Sequence, residues 1–446
     1  VKANIKSLYA IMMVMVLMIA SYSVGSIKVE AAEELDLQAE SAIIVDAKTG
    51  KVLYEKQSDL KLPPASMTKM MTEYLVLEAI SEGKIDWDTT TQVGDYAYGI
   101  SADPVFSGIG LIQDKDYTVR ELYEGMAIIS DNATTITLAE LVAGSESEFV
   151  KMMNDKAEEM GLPEYKFVNS TGLSNEDLGE NYPEGTEPNA DNLLSARSAA
   201  LLAYHLINDY PEVLDYSSTM MSELDDQPLQ NLNWMLPWED NNFVPFHFEG
   251  VDGLKTGWTQ EAGYCFTGTA KQGDRRLITV VMKTDSKEER FNQTKKLMEY
   301  GFSQFETTEL FEAGYQIQDE STLSVEKGKE EQVELETSEA MEAMVKTGEE
   351  DLYELTYEIN ENNLNENGAL TAPVEAGQVV GEAVLQYKGD NDYGYIGGIG
   401  TEQRVDLVTT TGVEKSNWFM LTMGAIGNFF SNIFTTVSDA VKGLFS

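Results

Sequence analysis

The chain has almost nothing with which to cross-link itself or bind a metal. One cysteine, Cys265, stands among 446 residues, so no intramolecular disulfide can form. In the apolar run Tyr264–Phe266 it reads as a small buried hydrophobe rather than a nucleophile. Two histidines and that cysteine cannot assemble the four N or S ligands of a structural zinc site. Neither a metal nor a cofactor is expected. Basic residues are scarce as well: 31 Lys and Arg face 76 Asp and Glu, a net charge of −45. So acidic a surface repels phosphate backbones and argues against nucleic acid as a partner; otherwise it reads as solubility or adaptation to salt or pH. No internal repeat is evident, and no serine sits in a Gly-x-Ser-x-Gly setting.

What is present is apolar content of 42%, enough for a sizeable core, over a length that suggests two or three domains. Lys2 and Lys6 precede the apolar run Leu8–Val24, and Val29-Glu30-Ala31 has the form of a small-residue cleavage site, with Ala32 first in the mature chain. Residues 1–31 thus read as a signal peptide, an uncleaved anchor being the alternative. Either way the bulk of the protein is expected outside the cytoplasm. Export without disulfides is, by analogy, a habit of wall proteins in Gram-positive bacteria.

From Ser41 an alternating pattern, Ala42–Val45 and Lys51–Tyr54 about a polar turn with Gly50, predicts a hairpin. A helical pattern starts at Ser66 after Pro63-Pro64-Ala65, with Met70, Met71, Tyr74, Leu77 and Ile80 at helical spacing. Further helices are expected at about Val119–Ile129, Ala133–Val142, Glu146–Met160 and Ser195–Ile207. Strands Tyr264–Ala270 and Leu277–Met282 and a charged helix at about Lys287–Phe302 complete an α/β layer domain ending near residue 305. From about Leu310 to Thr410 an acidic stretch, Glu326–Asp351, and short alternating runs such as Tyr353–Ile359 and Ala383–Tyr387 predict a separate β-rich domain. In Asn417–Ser446 the residues Phe419, Met423, Ile426, Phe430, Ile433, Val437, Val441 and Leu444 mark one helical face. With few charges and Trp418 near its start, this tail reads as a helix lying on a membrane surface, a packed core helix being the alternative.

Three short patterns occur in order: Ser66-Met67-Thr68-Lys69, Ser130-Asp131-Asn132 and Lys255-Thr256-Gly257. Alone each is weak, because Ser-x-x-Lys occurs also at Ser58, Ser81 and Ser324, and Lys-Thr-Gly at Lys48 and Lys346. Setting separates them. Ser66 opens an apolar helix one turn before Lys69, so the two side chains share a face and the amine can reach the hydroxyl. A neutral Lys69, its pKa lowered by burial or a neighbouring cation, can take the Ser66 proton, and the helix N-terminus supplies positive charge where an oxyanion would form. Ser58 lies just before Pro63-Pro64, Ser81 where the helix should end, and Ser324 in a charged, irregular stretch. Lys255-Thr256-Gly257 leads into a strand and has the form of an edge lining a cleft: a cation, a hydroxyl, then a glycine permitting close backbone approach. His205 and His247 read as structural.

The three motifs, in order and spacing, resemble those of the low-molecular-weight penicillin-binding proteins, the serine D-alanyl-D-alanine carboxypeptidases. So do Pro64–Thr72, Gly250–Leu254 and Glu261–Gly268 around them. One departure is Thr171 in Asn169–Leu173, where some relatives have histidine, and no role for that histidine carries over. The resemblance implies an α/β (α+β) β-lactamase/transpeptidase-like catalytic domain (32–305), a small all-β domain (306–412) and a C-terminal amphipathic helix anchoring the chain to the membrane surface (413–446). It implies acyl transfer in which Ser66 attacks the carbonyl between two D-alanines, Lys69 is the base and Ser130 relays the proton to the leaving D-alanine. Asn132 would bind the substrate backbone, Lys255 supply charge beside Ser130, and Thr256 hold the terminal carboxylate, with Gly257, Trp258 and Thr259 completing the binding strand. The backbone N–H groups of Ser66 and Trp258 would form the oxyanion hole. The implied partners are the pentapeptide stem of peptidoglycan and β-lactams, which acylate Ser66 and leave slowly.

Three rivals share the motifs or the fold. A class A β-lactamase needs Glu-x-x-Leu-Asn between the second and third motifs, and the nearest acidic stretch, Glu187-Pro188-Asn189-Ala190-Asp191, does not match. A silent wall-binding scaffold has no reason to keep Ser66, Lys69, Ser130, Asn132 and Lys255 together. A transpeptidase differs only in passing the acyl group to an amine rather than water.

Overall fold

The computed structural model describes residues 35–398 and 403–416; the expected signal peptide and the amphipathic segment Asn417–Ser446 lie outside the described residues. The expected hairpin forms as β1 (Ser41–Asp46) and β2 (Val52–Lys56), its turn closed by Asp46 Oδ2, which accepts from the Thr49 N–H (2.9 Å) and hydroxyl (2.6 Å). Three later strands, β3 (Val251–Thr259), β4 (Gly263–Gln272) and β5 (Arg275–Thr284), join it in an antiparallel sheet of order β2-β1-β5-β4-β3. The strand with Lys255-Thr256-Gly257 is therefore an edge. Every residue of β1 is buried, because both faces of the sheet are covered: Ile43 and Val45 enter the main core, whereas Ile44 turns the other way, against Gly301.

The helices start where short polar side chains can bond otherwise orphaned backbone N–H groups. Thr118 and Glu121 form a reciprocal capping box for α2 (Val119–Ile129), and Ser145, Ser195 and Ser286 cap α4 (Glu146–Glu159), α5 (Ala196–Asp209) and α6 (Lys287–Gln304). The helix predicted from Ser66 begins as a 3-10 turn, Ala65–Thr68, and becomes α1 at Lys69–Ser81. All residues of α1 from Lys69 to Leu77 are buried, with α2, α4, α5 and α3 (Asn132–Ala143) packed around it. A helix buried on nearly all sides belongs in the centre of a domain, and this one carries the nucleophile pattern at its start.

The expected β-rich domain consists of β6 (Phe305–Phe311), β7 (Thr322–Glu326), β8 (Gln332–Thr337), β9 (Met341–Lys346), β10 (Tyr353–Ile359), β11 (Leu370–Thr371), β12 (Val379–Tyr387) and β13 (Arg404–Thr409). Six of them form a sheet of order β10-β12-β13-β8-β7-β11, and β6 pairs with β9. Ser324 lies in β7 rather than in irregular chain, and the acidic stretch after it is largely strand: Val333, Leu335, Met341, Ala343 and Val345 are buried while the acids between them mostly face water. A segment of this domain returns to the catalytic hairpin. Tyr395 bridges to Lys51, the Val52 N–H donates to Gly394 O and the Ile396 N–H to Gly50 O, both at 2.9 Å. Ile396 enters the main core, and the Lys51 ammonium lies 5.5–5.6 Å from the ring centres of Tyr353, Tyr387 and Tyr395.

Candidate active site

The start of α1, the α2–α3 junction and edge strand β3 converge on an open cleft of about 180 Å³. Ser66, Ser130, Thr256, Gly257 and Trp258 line it, with Lys69, Asn132 and Lys255 buried beside them. Eight of the nine residues singled out in the sequence thus meet in one place. The ninth, Thr259, is occupied elsewhere: its hydroxyl accepts the Ala262 N–H (3.0 Å) and closes the β3–β4 turn.

Two backbone features set this geometry. Ala65 and Ser130 both have left-handed φ (49° and 63°), a conformation costing a residue with a Cβ about 1–2 kcal/mol. Such strain persists where neighbouring structure enforces it. At Ser130 the enforcing residue is Asp131: its Oδ1 accepts the Thr134 N–H (2.9 Å), capping α3, and its Oδ2 accepts the Ile109 N–H (2.8 Å). The middle residue of the second motif is therefore a clamp, and the Ser130 hydroxyl is buried with no hydrogen-bond partner among the described residues. Glycine is required at two contacts with the nucleophile turn. A Cβ on Gly257 would lie 2.4 Å from Pro64 O, and one on Gly172, at φ +88°, would lie 1.9 Å from Ala65 O.

Lys69 is fully buried. Its Nζ stands 3.0 Å from Ser66 Oγ, 2.8 Å from Asn132 Oδ1 and 2.8 Å from Thr171 O. Burial, and then the Lys255 charge, hold its pKa well below the usual lysine value, against the opposing pull of Asp131, Glu73 and Glu146. The contact at Thr171 is through the backbone; the side chain turns away to Asn169 Oδ1 (3.1 Å). Asn132 also donates from Nδ2 to Ser107 O (3.1 Å). Burial pushes Lys255 down to about 8 despite the charge of Glu73, which raises it.

Motif reading missed Arg290, Lys287, Trp234, Leu232 and Ser107, which also line the cleft. Arg290 is 4% exposed; it donates to Gly257 O (3.3 Å), its Nε has no partner among the described residues, and burial lowers its pKa to about 10. It stands in the charged run Lys287–Arg290, where no local signal marks it. Trp258, 55% exposed beside Tyr264 (5.9 Å between ring centres), forms an apolar wall. His247, half-buried, has Nδ1 3.2 Å from Met235 O and is not among the cleft-lining residues. The arrangement offers a nucleophile, a depressed amine, a second hydroxyl and buried cations, the parts needed for acyl transfer on a substrate with an anionic end.

Comparison with known proteins agrees with this chemistry. The family model for D-alanyl-D-alanine carboxypeptidases (peptidase S11) matches residues 28–286, and that for the C-terminal domain of penicillin-binding protein 5 matches 305–415. The chain is 35% identical to D-alanyl-D-alanine carboxypeptidase DacF of Bacillus subtilis (80% of this chain, 84% of the relative). It is 31% identical to DacA of Escherichia coli K12 (86% and 85%). A peptidoglycan synthesis regulatory factor (PBP3) from Streptococcus pneumoniae superimposes with TM-score 0.66 at 34% identity, over 84% of this chain and 99% of that one. Penicillin-binding protein D2 of Listeria monocytogenes, solved with bound cefotaxime, gives TM-score 0.51 at 33% identity, over 60% and 99%. With a motif set gathered into one cleft and a family match over more than half its length, the chain belongs to the serine D-alanyl-D-alanine carboxypeptidases of peptidase family S11.

Proposed function

We propose that the chain removes the terminal D-alanine from peptidoglycan pentapeptide stems through an acyl-enzyme on Ser66, and so limits cross-linking. The hydrogen bonds of Lys69 carry this reading. A neutral amine has two N–H groups and one lone pair. Asn132 Oδ1 and Thr171 O can only accept, so they take both N–H groups and leave the lone pair to the Ser66 hydroxyl at 3.0 Å. Lys69 removes that proton as Ser66 attacks the carbonyl, and Ser130 passes it to the departing D-alanine. Asn132 keeps one amide N–H for the substrate backbone. Thr256 and Arg290 receive the terminal carboxylate, with Lys255 behind them. The Ser66 and Trp258 N–H groups hold the oxyanion, each such donor contributing roughly 3–4 kcal/mol. Water then hydrolyses the ester, completing a carboxypeptidase cycle. A β-lactam enters the same cleft and stays on Ser66. The test is D-alanine release from a soluble peptide ending in D-Ala-D-Ala, by the full chain and by Ser66→Ala. Release by the first alone is expected; release by neither, with both folded, would return the scaffold or a cross-link-dependent enzyme as the better reading.

Residues 1–31 as signal peptide, 32–305 as catalytic domain, 306–412 as β-rich domain and 413–446 as anchor remain part of this proposal. On this reading the enzyme acts at the outer face of the cytoplasmic membrane, and the analogy with disulfide-free exported wall proteins extends it to a Gram-positive cell. The apolar periodicity of Asn417–Ser446 supports the anchor. The full chain is expected to float with lipid vesicles and a chain ending at residue 412 to stay in the dense fraction; equal flotation of both would remove the anchor.

A further inference from the structure

Where β3 packs on the Ala65–Thr68 turn that starts α1, three ionisable groups are buried, and the chemistry above uses two of them. Lys69 and Lys255 are 0% and 2% exposed, and neither is in contact with a carboxylate among the described residues. Like charges this deep repel each other and have lost their water. Glu73, the third, is 3% exposed and follows Lys69 by one helical turn, so the two side chains leave α1 on the same face.

The other buried carboxylates near Lys69 are held by structural work. Asp131 caps α3 and clamps Ile109, and Glu146 Oε1 accepts both the Ser170 N–H (2.9 Å) and its hydroxyl (2.6 Å). Glu73 has electrostatic partners instead: Lys255 on β3, more strongly, and Lys69 on its own helix. From α2, Tyr123 also faces its charge, with a buried hydroxyl that has no hydrogen-bond partner among the described residues.

We propose that Glu73 is a positioning residue of the reaction: the buried counter-anion of the lysine pair, which keeps the charge on Lys255 beside Ser130. The inference rests on the assignment of Ser66 and Lys69 as nucleophile and base. Burial raises the Glu73 carboxyl to about 7 although both lysines pull it down, so the anion depends on their charge and is fully present only above neutral pH.

Glu73→Gln keeps the shape and removes the charge. Both lysines then hold protons less tightly, Lys255 the more so. The pH profile of kcat/KM for D-alanine release is expected to move to lower pH on both limbs, the alkaline limb by roughly one unit or more. KM at pH 8 should rise more than kcat falls, and Glu73→Asp should restore the wild-type limbs. A Gln variant with a lower profile and unmoved limbs would reduce Glu73 to packing and overturn the proposal. A second arm needs neither the variant nor turnover: NMR titration of carbon-13-labelled lysine in the wild type, with Lys255 assigned by its loss in Lys255→Arg. The Lys255 Cε signal should show an inflection near pH 7 from Glu73 besides its own; a single-step titration would overturn the proposal as well. Wild-type protein that releases no D-alanine would refute the proposed activity, while the titration still decides whether Glu73 and Lys255 are coupled.

Discussion

Replacing Lys69 by alanine is expected to lower kcat/KM for D-alanine release by about 10³–10⁴-fold, the scale of a lost general base acting on a hydroxyl that is otherwise a poor nucleophile. Among the described residues the Ser66 hydroxyl has no other base in hydrogen-bond reach, and the two acceptors that orient the amine, Asn132 Oδ1 and Thr171 O, cannot take a proton in its place. Lys69→Arg should be as inactive as the alanine variant. A guanidinium stays protonated, so it can donate to the same carbonyls but has no lone pair to offer. Acylation by a fluorescent penicillin should fall in parallel with hydrolysis, because the missing step precedes both. Retention of a tenth of wild-type acylation by the arginine variant would show that Lys69 acts as a charge and not as a base. The acid limb has a definite sign. Because burial and the Lys255 charge depress the Lys69 pKa, its amine gives up its proton more readily than an ordinary lysine, and activity is lost as the pH falls through that lowered value.

The second large effect is expected at Gly257→Ala: a loss of kcat/KM of about 10²-fold or more, with stability reduced by about 1–3 kcal/mol. The added methyl would lie 2.4 Å from Pro64 O and 3.3 Å from both Ala65 Cβ and Met67 Cγ. A backbone oxygen cannot rotate away as a side chain would, so either β3 or the turn bearing Ser66 must shift. Either shift opens the distance between Ser66 and Thr256, across which the substrate has to be held. Gly99→Ala is the matched control, since a Cβ there meets nothing within 4 Å in the short helix Asp95–Ala102. Activity and urea denaturation of the two variants check the contrast. Near-normal turnover by Gly257→Ala would mean that the strand and the nucleophile turn are not held in register by this contact.

The catalytic elements were legible because they are locally consistent. Apolar spacing and the proline pair before Ser66 indicate the same boundary, and the helix differs only in its first turn, which tightens to 3-10 geometry. Position along the chain also sorted the repeated motifs, since Lys48 falls in a hairpin turn and Lys346 at the end of β9. What stayed hidden depends on distant contacts. Arg290 is a charge in a charged run until α6 packs on the sheet and carries it under Gly257. Thr259 shares the strand of the third motif, yet its hydroxyl is consumed by the Ala262 N–H three residues on, in the β3–β4 turn, which periodicity cannot show. The Thr171 departure lost its weight once the group facing Lys69 proved to be a carbonyl, which any residue provides.

The central sheet has two borders, and they are treated differently. Along β2, the bridge from Lys51 to Tyr395 and the bonds to Gly394 and Ile396 close the border beside the hairpin turn. The opposite border, β3, is the one beside Ser66. An unpaired strand accepts any extended chain that reaches it, whether a substrate or a neighbouring molecule. By fastening its second domain across the first border, the protein leaves foreign backbone a landing place beside its nucleophile, so the same docking that joins two domains also directs where an incoming peptide can lie.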